Sequence, residues 1–218
     1  MNGPLPADRQ QLSQAQPLKT QRWPRTERRQ ERIRTTLSRR QPDLTVVLEN
    51  VHDPHNVSAI LRSCDAVGVL RAHAVYTIEE PPVGAFARQT SASAAKWVEV
   101  ERHVSISGCY ERLHADGFTV LVTSISPDSQ PLFNWDLASP VALVFGNEMR
   151  GVSEDAQSLA DGAIEIPMMG MVQSLNVSVA CAVCLYEAFR QRMASGGYDA
   201  PKLKANDLHL LEEDWLRL

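Results

Sequence analysis

From residue 42 onward the chain repeats one arrangement: a short apolar run, a polar break, then apolar positions spaced for a helix. LTVVLEN (44–50) is apolar and β-branched with little alternation, the pattern of a strand covered on both faces. NVSAILRSCDAVG (56–68) reads as a helix ending at Gly68, with Val57, Ile60, Leu61 and Cys64 at i, i+3, i+4 and i+7. AHAVYT, WVEVE, FTVLVTS, VALVFG and GAIEIP are further short apolar runs. Helical patterns at 105–116, 153–160 and 174–193 separate several of them. Strands alternating with helices predict an α/β domain with a mainly parallel sheet over 42–193. No repeat of solenoid period is present.

The two ends differ from this body. Residues 1–24 are rich in Gln and Pro, have little to bury, and are expected to be disordered. Residues 25–41 predict a helix with a possible N-cap at Thr26. Ile33 and Leu37, one turn apart, give it a single thin anchor line, and most of its remaining surface is arginine. Residues 194–218 read as a Pro/Lys linker followed by a short amphipathic helix at 206–217.

Charge sharpens the contrast. The 218-residue chain carries a formal net charge of −4. Residues 1–40 hold ten Lys/Arg against three Asp/Glu, a balance of +7, so the remainder stands at −11. A basic arm on an acidic body suits a polyanionic partner, and it equally suits a solvated tail. Arginine favours phosphate because its planar fork donates two parallel hydrogen bonds. Four cysteines in apolar contexts, with no apolar leader at the N-terminus, predict reduced thiols in a cytoplasmic protein. No apolar stretch reaches the roughly 18 residues of a membrane span.

GxGxxG, GxxxxGK[ST] and GxSxG are all missing, so dinucleotide, P-loop and serine-hydrolase chemistry lose their sequence support. His52 and His55 have a zinc-like spacing but no third ligand nearby, and no metal is expected. Cys181 and Cys184 form a CxxC inside an apolar helix, where packing is the expected role.

Three segments carry more. In ENVHDPHNVSAILRSCDAVG (49–68), Asn56 stands at a helix start, where backbone N–H groups favour an anion, and Arg62 lies on the polar face. The plainer reading makes Asn56 an N-cap and Arg62 a solvated partner of Asp65. In PVALVFGNEMRGVSEDA (140–156), a strand runs into Gly146, Asn147, Glu148 and Gly151, with Ser153 placed to cap the next helix. In GAIEIPMMGMVQSLNVSVACAVCLYEAF (162–189), a Met/Gly loop leads to Ser174 and Asn176, which open a helix apolar nearly all round. Such a helix is buried in the fold or in a dimer interface.

NVSAILRSCDAVG, LVFGNEMRGVS and IEIPMMGMVQSLNVSVACAV together, in this order and spacing, resemble the three motifs of the SPOUT methyltransferases. Within them the chain resembles the TrmH family of RNA ribose 2′-O-methyltransferases. The resemblance implies a SPOUT fold with a deep C-terminal trefoil knot, helical extensions at both ends, and a homodimer. It implies S-adenosylmethionine as cofactor, held by Thr123, Gly146, Ile166 and Leu175, largely through backbone. It assigns the central role at the ribose hydroxyl to Arg62, supported by Asn56, Glu148, Ser174 and Asn176. No metal is required in that chemistry. The flanking RRQERIRTTLSRRQPDLTVVLENVHDPHN and YDAPKL…WLRL narrow the implied substrate to tRNA, at guanosine 18 of the D-loop. Arg28, Arg29, Arg32, Arg39 and Arg40 are then the expected RNA contacts. A ribosomal RNA methyltransferase and a non-catalytic RNA-binding protein are the alternatives. The first usually carries a separate N-terminal RNA-binding domain, for which residues 1–41 are too short. Intact Arg62, Glu148 and Asn176 speak against the second.

Overall fold

The computed structural model describes residues 27–78 and 94–218. The expected tail at 1–24 and the Thr26 cap lie outside the described residues. The elements run α1 (Glu27–Leu37), β1 (Leu44–Glu49), α2 (Pro54–Val67), β2 (Arg71–Val75), β3 (Glu99–His103), α3 (Ile106–Ala115), β4 (Thr119–Thr123), β5 (Gln130–Pro131), β6 (Val141–Phe145), α4 (Glu154–Leu159), β7 (Gly162–Glu165), α5 (Val177–Ala194) and α6 (Ala205–Arg217). The seven strands form one sheet in the order β3-β2-β1-β6-β4-β7-β5. All its pairings are parallel, with Val46 opposite Leu143 and Val122 opposite Val144 in the centre.

Parallel strands need crossovers, and the helices supply them on both faces. Leu44, Val46, Leu48, Leu143 and Phe145 point to one face, where Val57, Ile60 and Cys64 of α2 meet Cys181, Cys184 and Leu185 of α5. Val47, Val120, Val122 and Val144 point to the other, against Cys109, Tyr110 and Leu113 of α3 and Ala156 of α4. This is the mainly parallel α/β architecture expected from the apolar runs. The CxxC packs in the core, and all four cysteines are buried free thiols.

Boundaries moved where local chemistry overrode periodicity. α2 starts at Pro54, capped by the Asp53 side chain, which accepts from the His55 N–H. Asn56 is therefore inside the first turn and is not the cap. α5 starts at Val177 with Asn176 as its cap, and Ser174 stands outside the helix. Ser153 caps α4 as expected, accepting from the Ala156 N–H. WVEVE gave the strand two residues early, because β3 occupies 99–103 on the sheet edge. The two-residue β5 has no apolar run to announce it. Gly68 ends α2 at φ 88°, where a Cβ would stand 2.6 Å from the Arg39 carbonyl oxygen.

α1 docks rather than hanging free. Ile33 and Leu37 are buried against Trp215 of α6, and Arg34 Nε donates to Glu212 Oε1 at 2.7 Å. Arg40 corrects the expected set of RNA contacts. Its side chain is fully buried, pairs with Asp65 at 2.5 Å, donates to the Val69 carbonyl and lies over the Trp215 ring. A guanidinium in that position ties α1 to α2 and α6 and has no surface for a phosphate. It also takes Asp65, the partner suggested for Arg62.

Candidate active site

The C-terminal ends of β4, β6 and β7 open on a cleft of about 610 Å³. Open α/β sheets bind ligands at this edge, because the loops leaving the strands splay apart there. Thr123, Gly146, Ile166 and Leu175 all line the cleft, as do Glu148, Ser174 and Asn176. Asn56 and Arg62 are not part of its wall.

The loop after β6 forms one side. Asn147 and Gly151 exchange backbone hydrogen bonds of 2.9 and 2.8 Å, so the chain doubles back on itself. The Asn147 side chain accepts from the Met149 and Arg150 N–H groups and donates to the Asn50 carbonyl at 2.9 Å. Gly146 is required by the same fold-back, since a Cβ there would stand 2.2 Å from Val152 N. At the end of β4, the Thr123 hydroxyl donates to the Val144 carbonyl. That bond uses the hydroxyl's one donor, so toward a ligand the side chain of Thr123 can only accept.

Glu148 is the electrostatic centre of the site. Its carboxylate accepts from the Asn56 side-chain amide at 2.8 Å and from the His52 and Asp53 N–H groups at 3.4 and 3.3 Å. It thus sits at the N-terminal end of α2, where the helix dipole favours negative charge. Burial opposes that charge, but the Asn56 amide and the backbone donors outweigh it and hold the carboxyl below the usual carboxylate range. A carboxylate stabilised in this way is a weak base and a firm anchor. The Asn176 amide in turn donates to Asn56 Oδ1 at 3.2 Å. Glu148, Asn56 and Asn176, from three separate segments, form one continuous relay. Asn56 enters the site through this relay and not as a helix cap.

Arg62 is exposed on α2, two turns beyond Asn56, and has no hydrogen-bond or ion-pair partner among the described residues. Ser174 is exposed on the cleft wall. Residues that sequence reasoning missed support the site from beneath. Buried Glu49 accepts from the Ser153 N–H at 2.8 Å. Asn50, at φ 52°, accepts from the Thr77 and Ile78 N–H groups. A polar Glu-Asn pair ending an apolar strand was the available signal, but its partners lie 27 and 104 residues away.

A parallel sheet between two helical layers, with a cleft at its C-terminal edge, is an α/β fold of the ligand-binding kind. The chain belongs to the SpoU rRNA Methylase family, whose model matches residues 43–186. It is 52% identical over 193 residues to the tRNA (guanosine(18)-2'-O)-methyltransferase of Thermus thermophilus, covering 88% of this chain and 98% of that one. Among solved structures it is similar to the A. aeolicus TrmH/SpoU tRNA modifying enzyme, with a TM-score of 0.80 and 38% identity over 88% of this chain and 96% of that one. It is also similar to the SpoU methyltransferase AviRb from Streptomyces viridochromogenes in complex with the cofactor AdoMet. There the TM-score is 0.60 and the identity 26%, over 72% of this chain and 62% of that one.

Proposed function

We propose that this protein transfers a methyl group from S-adenosylmethionine to the ribose 2′-hydroxyl of guanosine 18 in the tRNA D-loop. The observation that carries the reading is the relay from Glu148 through Asn56 to Asn176, whose two ends line the cleft. The high identity to a relative named for this reaction, over nearly its whole length, supports the substrate.

The cleft suits the cofactor. Its volume falls within the ~300–1,000 Å³ of small-molecule sites. Backbone of the 146–152 fold-back and of the segment from Ile166 to Leu175 can hold the adenosine, and Glu148 and Glu165 offer negative charge for a cationic ligand. S-Adenosylmethionine, when bound, supplies a methyl group on a sulfonium that leaves as a neutral thioether. The chain's task is to align the 2′-oxygen behind that methyl carbon and to guide the departing proton to the adjoining substrate phosphate or to water. Ser174 and Asn176 stand on the cleft wall, where they can hold the ribose. Glu148 fixes Asn56, and Asn56 fixes Asn176. Arg62 binds the adjoining phosphate and stabilises the oxyanion as it forms. Arginine is cationic at accessible pH, so electrostatic positioning is the role its chemistry favours.

Arg62 does not line the cleft of its own protomer, so a second protomer is the natural way to bring it to a bound nucleotide. α5 supports a homodimer: Val179, Tyr186 and Met193 are about half exposed along one side. Arg28, Arg29, Arg32 and Arg39 are exposed and serve as the RNA-binding face of residues 25–41, with 42–193 as the catalytic domain and 194–218 as its C-terminal brace. The family resemblance further implies a knotted path around the cofactor, in a sheet where β6 lies between β1 and β4 and β7 between β4 and β5. The protein acts in the cytoplasm, and no helix among the described residues is long and apolar enough to cross a membrane.

The test is incubation of an unmodified tRNA transcript with methyl-labelled cofactor, followed by mapping of the label. Label on the ribose of guanosine 18 is expected. Label confined to ribosomal RNA, or carried on a base, overturns the reading.

A further inference from the structure

Outside the cleft lining, three donors from three elements converge between the edge of the sheet and α3. His73 comes from β2, His103 from the edge strand β3, and Cys109 from the first turn of α3. One ring nitrogen of each histidine and the Cys109 sulfur all lie within 4.8 Å of one another. His73 Nδ1 and His103 Nε2 stand 2.9 Å apart with their rings tilted by 37°. Glu101 Oε1 is 3.8 Å from His103 Nε2. None of the four lines the cleft, and the proposed methyl transfer uses none of them.

We propose that His73, His103 and Cys109 form a site for a zinc-class transition-metal ion, with Glu101 or water as the fourth ligand. The donor set selects the ion: two imidazoles and a thiolate suit zinc and exclude magnesium or calcium, which take oxygen. The spacing is close to what is needed. Zinc–nitrogen and zinc–sulfur bonds of ~2.0 and ~2.3 Å place tetrahedral ligand atoms roughly 3.3–3.7 Å apart. The two imidazoles therefore open by a few tenths of an ångström, and the sulfur moves in by up to about 1.5 Å.

The charges around the cluster permit a cation. Arg71 and Arg112 face it, but Arg71 is paired with Glu99 and Glu101, and Arg112 with Asp116. Burial, with the neighbouring His103 and Arg71, pushes His73 down to about 4, so it presents a neutral imidazole. Burial pushes the Cys109 thiol up to about 12. Binding must then displace the thiol proton, together with the hydrogen bond between the rings. One proton leaves for each ion bound, the ring protons moving to the outward nitrogens, and affinity climbs with pH. The ion would clamp β3, which among the described residues pairs with β2 alone, to β2 and α3.

The experiment uses the full chain freed of metal by chelator. Cobalt(II) is titrated in as a spectroscopic stand-in and zinc(II) is used to displace it. One cobalt per chain is expected, with a thiolate-to-metal charge-transfer band and tetrahedral visible bands that zinc abolishes. Cys109→Ser removes the charge-transfer band. His103→Gln weakens binding by more than ~100-fold, since even outer-shell partners are worth 10–100-fold. Zinc raises the melting temperature of the parent chain and of neither variant. Circular dichroism and melting of the metal-free variants separate a lost site from a lost fold, with His103→Gln the milder change on an edge strand. Three results overturn the proposal: no saturable binding at one equivalent, binding unchanged in both variants, or a charge-transfer band lost on Cys181→Ala instead.

Discussion

Gly146→Ala tests how far the cleft depends on one close approach of backbone to backbone. A Cβ at 146 would lie 2.1 Å from the Gly151 carbonyl carbon and 2.2 Å from both the Gly151 oxygen and Val152 N, where Cβ contacts under 3.0 Å essentially do not occur. All three atoms are backbone, so no side chain can swing aside. The 151–152 segment must retreat by roughly 1 Å, an overpacking that costs about 1–3 kcal/mol. The retreat also stretches the two hydrogen bonds between Asn147 and Gly151, worth ~1 kcal/mol each. A loss of ~2–4 kcal/mol leaves the domain folded, given a typical total of ~5–15 kcal/mol. The cleft, however, loses its wall. Cofactor affinity should fall by at least ~30-fold, since each 1.4 kcal/mol is tenfold. Gly151→Ala is the control: nothing lies within 4 Å of its Cβ, but its φ of 70° imposes about 1–2 kcal/mol of strain. It should lower the melting temperature while weakening the cofactor less. Calorimetric titration with S-adenosylmethionine, beside thermal melts, measures both. Affinity in Gly146→Ala equal to that of the parent, or below-parent affinity in Gly151→Ala alone, refutes the argument.

Three further outcomes are expected. Arg62→Ala should abolish methyl transfer and leave cofactor binding nearly intact, and Arg62→Lys should also be poor, because a point charge cannot replace a planar fork; single-turnover assays and cofactor titration separate the two effects. Replacing Arg28, Arg29 and Arg32 together by Gln should reduce the magnitude of the log–log salt slope of tRNA binding by about 2–3 without altering cofactor affinity, as filter binding at several salt concentrations will measure. Glu148, whose folded-state carboxyl is held below the ordinary value, adds stability above the unfolded value of ~4.3 and loses it as pH falls through the depressed folded value. The gap in melting temperature between the parent and Glu148→Gln should therefore be full at neutral pH and close progressively below about pH 4.

The apolar runs at 44–50, 118–124 and 141–146 were legible as strands because a strand covered by helices on both faces has to be apolar throughout. The buried face of α2 was legible because Val57, Ile60, Leu61 and Cys64 are spaced at the helical period. Gly146, Glu148 and Asn176 were singled out as site residues by the family resemblance of the motifs around them, since residue type and spacing alone showed only turns and helix caps at those junctions. Local pattern could not say which residue caps α2, since Asp53 and Asn56 are both competent and only the backbone angles choose between them. It could not remove Arg40 from the basic face, because its burial arises from Asp65 and Trp215, 25 and 175 residues further along. Nor could it join Asn56 to Glu148 and Asn176, or His73 to His103 and Cys109. Sequence by itself determined the layers, the apolar faces and the chemistry available at each junction, because those depend on periodicity and residue type. Strand order, the pairing of distant polar groups and the choice of which charges are buried were decided only by tertiary structure, because each depends on which crossover brings one strand beside another.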